Sequence, residues 1–253
     1  VKNCDIVVDP PDTTGCGGFQ LALGGQAFDR ASDVAATTNN EFYVAGISRS
    51  FSSSDDILVT RLTAAGVIVW SRIFGNTRQE IIRKITPTAD GGLLIVGQTK
   101  SFANINGDML CMKVGANGNL LWSKVLGLGS ANGDLGMDII ETTDGGYAFS
   151  GIINVNGTVA DAVVTKLDNL AYVVWSKRVD RGDGESGVGI LQKQDTLIVG
   201  IELQNTIVNY ELVLMKLRLT DGAFIMSKKI TPDARGLLNS YVLRDPVQPG
   251  YII

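Results

Sequence analysis

The stretch DAVVTKLDNLAYVVWSKRVD, residues 161–180, decides the fold. Between its opening acid, Asp161, and the base Lys166 the chain reads Ala162, Val163, Val164, Thr165, apolar on consecutive positions rather than on alternate ones. A strand with one wet face alternates; one covered on both faces does not need to. The same pattern stands in DILVTRLTAAGVIVWSRIFG (56–75), DMLCMKVGANGNLLWSKVLG (108–127) and ELVLMKLRLTDGAFIMSKKI (211–230). The acid is Asp56, Asp108, Asp161 and Glu211, the base Arg61, Lys113, Lys166 and Lys216, and the large residue Trp70, Trp122, Trp175 and Met226. Successive openers lie 52, 53 and 50 residues apart.

Upstream of each segment sits a second phrase: ATTNNEFYVAGIS (36–48), TPTADGGLLIVGQ (86–98) and ETTDGGYAFSG (141–151), with closing glycines read as Gly46, Gly97, Gly151 and Gly200. Each repeat predicts four short strands; in the third they are about 136–143, 146–153, 161–168 and 172–179, joined by Gly, Asn and Asp turns. No segment has a helical period. Four-stranded units of roughly 40–50 residues, buried on both faces, predict an all-β chain of β-propeller type with antiparallel blades wedged against one another. A sandwich would show alternation, and a parallel β-helix a much shorter period.

The expected blades are 31–75, 81–127, 135–180 and 186–230 in a single domain spanning 1–253. Stepping one period back from Asp56 and Trp70 reaches Asp5 and Phe19, so 5–25 reads as the last two strands of a blade. GLLNSYVLRDPVQPGYII (236–253) reads as the first two, with Gly250 and Tyr251 over Gly146 and Tyr147. Two strands from each terminus would complete a fifth blade and remove exposed sheet edges. Six to eight blades follow instead if the chain is a fragment of a longer one.

Composition narrows the partners. Net charge is −4, from 22 basic and 26 acidic residues, with no long basic run, so nucleic acid is not an expected partner. No apolar run reaches the roughly 18 residues of a membrane span. The chain has no histidine, which removes the commonest general base and metal ligand. Cys4 and Cys16 flank a turn-rich loop and are either bridged, which suits a secreted protein, or two free thiols; Cys111, within DMLCMKV, reads as a core residue.

The pattern DGGY, G, D-VVTKLD, WSK resembles the repeats of large secreted and cell-surface proteins of Bacteroidota, many of them cargo of type IX secretion. It is also distantly similar to the Trp-bearing blades of quinoprotein-type propellers. The resemblance covers nearly the whole chain. It implies an extracellular or cell-surface location and a role as adhesin, scaffold or exoprotein.

Candidate site residues are few. Trp70, Trp122 and Trp175 could stack a ligand, but equivalent positions in successive blades do not converge, so they are read as packing residues. The recurring acid and base are assigned to turn hydrogen bonding and strand-edge solvation, since an active site needs one asymmetric group. DRGDGES (180–186) contains the tripeptide Arg181-Gly182-Asp183 that integrins read, and Asp180, Asp183 and Glu185 offer hard oxygen ligands for calcium; a solvated turn is the other reading. No other cofactor is suggested. Asn156-Gly157-Thr158 fits a glycosylation tripeptide. The polar loops 49–55, 100–107, 154–160 and 204–209, all joining second to third strands, are expected to carry specificity.

The functions that fit are a non-catalytic secreted or surface propeller that binds protein or glycan or serves as a scaffold; alternatively an exoenzyme or quinoprotein-like oxidoreductase with an axial site; or an outer-membrane assembly factor. An enzyme would require an asymmetric set of acids with shifted pKa values.

Overall fold

The structure is a computed structural model, and it describes residues 2–3, 21–102, 105–127, 133–153, 159–182, 184–204, 210–230, 243–244 and 251–252. It is all β. The strands are β1 (Lys2–Asn3), β2 (Asp29–Ala36), β3 (Phe42–Ser48), β4 (Asp56–Leu62) and β5 (Ile68–Phe74) in the first sheet. The second holds β6 (Glu80–Pro87), β7 (Leu93–Thr99), β8 (Asp108–Val114) and β9 (Leu120–Leu126). The third holds β10 (Leu135–Glu141), β11 (Tyr147–Ile153), β12 (Asp161–Leu167) and β13 (Val173–Val179). The fourth holds β14 (Gly184–Lys193), β15 (Thr196–Gln204), β16 (Tyr210–Arg218) and β17 (Phe224–Ile230). A last hairpin joins β18 (Leu243–Arg244) to β19 (Tyr251–Ile252).

Each large sheet is an antiparallel meander, its strands in chain order. In the first, β1 adds a fifth strand outside β5, with Lys2 opposite Ile73. Most of the half blades expected over 5–25 and 236–253 lies outside the described residues, as do Cys4 and Cys16, the tripeptide 156–158 and most of the loops 154–160 and 204–209.

The tight turns follow from local chemistry. In the second sheet Thr88 and Gly92 close the β6–β7 turn through their backbones, and the Asp90 carboxylate accepts from the Thr88 hydroxyl and the Gly92 amide. Gly91 takes φ 78° there, a conformation that costs glycine least. Thr142, Asp144, Gly145 and Gly146 repeat the arrangement in the third sheet.

The third strands of the second and third sheets are buried on both sides, as their runs of apolar residues require: all seven residues of β8 and of β12 are buried, whereas β16 of the fourth sheet leaves Leu214 and Lys216 half-buried and Arg218 exposed. Cys111 is among them, fully buried and free.

Two compact units make up the chain, Val1–Ala103 with Leu110–Val125, and Asn104–Met109 with Leu126–Ile253. In the first unit Tyr43, Val59 and Trp70 of the first sheet pack on Leu93, Leu110 and Met112 of the second. In the second unit Ala148, Val164 and Trp175 of the third sheet pack on Leu197, Val199, Val213 and Met215 of the fourth. Fully burying each such aliphatic or aromatic side chain contributes about 1.5–3 kcal/mol.

A register shift between first and second strands recurs in all four sheets, at Ala31/Asp33, Ile82/Lys84, Gly136/Asp138 and Gly187/Gly189. It presses a first-strand carbonyl onto the facing residue: a Cβ on Gly46 would lie 2.0 Å from the Arg30 oxygen, and one on Gly97 1.9 Å from that of Ile81. Glycine is therefore obligatory at both places. The fourth sheet departs from the reading of Gly200 as the equivalent residue. Gly200 faces Gly189, and it is Ile201, opposite Gly187, that holds the position. The side-chain-free residues there are on the first strand, where Gly187 lies against the backbone of Gly151.

Candidate functional site

Of the turn bonding and edge solvation expected of the recurring bases, Lys113 and Lys166 show the first and not the second. Lys113 and Lys166 are buried, and each reaches back to the acid of the preceding turn: Lys113 Nζ lies 2.7 Å from Asp90, and Lys166 Nζ 3.0 Å from Asp144. Arg61 makes the same pairing with Glu41. Burial alone would raise the Asp90 carboxyl, but the Lys113 ammonium, the Thr88 hydroxyl and the Gly92 amide together hold it down at about 2. The partner of each of these bases lies in the turn of the preceding hairpin, not in the acid that opens its own strand.

The strand-opening acids have a different role. Asp161 meets Asp180 and Glu185, with one carboxylate oxygen of each within 4.8 Å of the others. Asp180 and Glu185 are two of the three residues expected to bind calcium; the third, Asp183, lies outside the described residues. Asp161 was missed, although a signal existed. Asp56 and Glu80 stand 24 residues apart in the first unit, as Asp161 and Glu185 do in the second, and all four are buried.

The two clusters are neutralised differently. In the second unit Arg178 sits between carboxylates, its Nε 2.7 Å from Asp161 and its Nη2 2.8 Å from Asp180, while Glu185 accepts the Arg181 amide at 3.1 Å. In the first unit Ile73 stands at the place of Arg178, and Gly75 at that of Asp180. Glu80 accepts from the Thr99 hydroxyl at 3.0 Å. Burial, reinforced by the adjoining Asp56 carboxylate and offset by the Ser101 and Thr99 hydroxyls, pushes Glu80 up to about 7. A proton serves in one cluster where a guanidinium serves in the other. Three carboxylate oxygens could contribute to the six to eight of a calcium site, but the second cluster already contains its own cation.

The tryptophans are packing residues where their contacts are described. Trp70 and Trp175 are buried, and each donates its indole N–H to a turn carbonyl of the following sheet, Ala116 and Leu219. Tyr43 lies beside Trp70 with ring centroids 5.7 Å apart.

The outermost strands are exposed instead. Leu120 and Leu121 on β9, Val173 and Val174 on β13, and Phe224 and Ile225 on β17 are all open to solvent, each pair directly before Trp122, Trp175 and Met226. Among the described residues β9, β13 and β17 are sheet edges. Apolar side chains thus accompany unpaired backbone groups in the same part of three repeats.

No helix is long and apolar enough to cross a membrane among the described residues. No family model matches the chain, and no curated protein matches it in sequence. Among solved structures it is similar to an alpha-L-arabinofuranosidase from Lactobacillus brevis, with TM-score 0.51 and 10% identity over 85% of this chain and 79% of that one. A thermostable family-43 glycoside hydrolase aligns with TM-score 0.45 and 10% identity over 83% of this chain and 74% of that one. The N10 neuraminidase-like protein of A/little yellow-shouldered bat/Guatemala/060/2010 aligns with TM-score 0.46 and 11% identity over 81% of this chain, which spans 59% of its length. At such identity the first likeness shows the fold and nothing of the chemistry: four antiparallel four-stranded sheets of β-propeller type.

Proposed function

We propose that this chain is a non-catalytic binding module or scaffold, engaging a partner protein outside the cell or at its surface. The observation that carries the reading is the recurrence of exposed apolar pairs on edge strands, Leu120 with Leu121, Val173 with Val174, and Phe224 with Ile225. Side chains of this size left in water favour a protein partner that buries them, and edge strands add backbone donors and acceptors to the contact. The indole next to the exposed pair of β13, that of Trp175, is buried rather than offered as the platform a glycan would use. The extracellular or surface location rests on the resemblance to Bacteroidota repeat proteins. The recurring charges support the same reading, because Asp90, Asp144, Lys113 and Lys166 are engaged in holding turns to strands. A fifth blade built from both ends belongs to this proposal, and the antiparallel pairing of Leu243 with Ile252 supports its carboxyl half.

The test is retention of surface proteins from the source cell on the immobilised chain. Leu120→Ser with Leu121→Ser and Val173→Ser with Val174→Ser should lower retention about tenfold while leaving the Tm in place. Unchanged retention, or turnover of glycoside or alcohol substrates by the purified chain, would overturn the reading.

A further inference from the structure

The second unit contains a cleft that the first unit fills. It opens between β13 and the face of the fourth sheet, with a volume of about 450 Å³. Ile201, Leu203, Val213, Met215 and Leu217 form its floor, and Lys177, Arg178, Asp180 and Arg181 stand at its mouth. The volume lies in the range of about 300–1,000 Å³ typical of small-molecule sites.

The repeat supplies an internal control. Phe74, on β5 opposite Ile57, is buried in the first unit's core, and Val125 packs against the same core. The equivalent residues of the second unit are Val179, opposite Ala162, and Lys229, which pairs with Glu211. A ring is gone from the roof. The floor has changed in the opposite sense, with Ile201 at the place of Gly97 and Leu203 at that of Thr99. Around the mouth Arg178, Asp180 and Arg181 replace Ile73, Gly75 and Asn76. These exchanges together turn a filled interface between sheets into an apolar pocket whose charged entrance holds three bases and one acid, Asp180, which Arg178 engages.

Charge identifies the occupant. Arg178 is engaged by Asp161 and Asp180, but Lys177 and Arg181 are exposed and have no acid partner among the described residues. An alkyl chain alone would have no use for them, and an amine would be repelled.

We propose that this cleft binds an amphipathic organic carboxylate, its apolar body lying on Ile201, Leu203, Val213 and Met215 and its carboxylate at Lys177 and Arg181. The proposal does not depend on the partner protein suggested above.

Decanoate, decanol and decylamine, each titrated calorimetrically into the full chain, provide the test. Decanoate should bind saturably at one site, decanol about tenfold more weakly, and decylamine not at all. Val179→Phe, which restores the residue of the first unit, should abolish decanoate binding. Lys177→Gln with Arg181→Gln, both exposed, should bring decanoate down to the level of decanol and leave decanol unchanged; this pair keeps the test decisive if the phenylalanine variant fails to fold. Absence of saturable decanoate binding, equal binding of decylamine, or an unaffected Lys177→Gln/Arg181→Gln variant would overturn the assignment.

Discussion

The indole N–H of Trp175 donates to the carbonyl of Leu219 at 2.9 Å, 44 residues further along the chain. Trp70 does the same to Ala116 at 2.8 Å. In each case the ring lies against a turn glycine with positive φ, Gly222 or Gly118, where a Cβ would meet the indole at 2.7 or 3.0 Å. The tryptophan therefore fastens one sheet to the next by both volume and a hydrogen bond.

Trp175→Ala should lose about 3–5 kcal/mol of stability through the cavity it leaves. Trp175→Phe should lose less, with about 1–3 kcal/mol of that loss arising from the abandoned Leu219 carbonyl. Urea unfolding of the two variants separates the contributions, and equal losses would show that volume is unimportant there.

The buried Glu80 makes stability depend on pH. Its carboxyl titrates at 4.5 when unfolded and at about 7 in the fold, so the folded state binds the extra proton between those values. Stability from this group is intact below pH 4.5 and declines as pH rises through 7, by roughly 3 kcal/mol in all. Glu80→Gln should flatten this part of the wild-type profile and raise the Tm at pH 8. A wild-type minus Glu80→Gln difference that stays constant from pH 4 to 8 would refute this.

Arg178→Gln should destabilise the second unit by about 3 kcal/mol, because the buried Asp161 loses its countercharge. Calcium added to the wild type should leave the Tm where it is, since the guanidinium already neutralises Asp161 and Asp180. A calcium-dependent rise would mean that the ion displaces Arg178.

Gly97→Ala places a methyl 1.9 Å from the Ile81 carbonyl, a contact only backbone movement can relieve. A loss of about 2 kcal/mol or more is expected by chemical denaturation. Ile201→Ala, at the equivalent position of the fourth sheet, should instead lose stability as an ordinary core truncation, by about 2–5 kcal/mol.

The strands were legible because their signals are local. In the third repeat the sequence placed strands at about 136–143, 146–153, 161–168 and 172–179; the structure has Leu135–Glu141, Tyr147–Ile153, Asp161–Leu167 and Val173–Val179. Unbroken apolar runs such as Ala162 to Thr165 and turn words such as Asp144-Gly145-Gly146 each act within a few residues. What was not legible depends on register. Nothing local says that Lys166 turns back to Asp144 rather than to Asp161, or that Asp161 comes up beside Glu185. The shift by which Ile201, not Gly200, faces Gly187 is likewise visible only once the strands are paired.

That shift has an engineering consequence. Grafting β15 alone into the second sheet would drive the Ile201 side chain at the Ile81 carbonyl, whereas β14 and β15 moved together bring Gly187 as the facing residue. The hairpin, rather than the single strand, is the smallest interchangeable part of this chain, and shuffled libraries should be cut between hairpins.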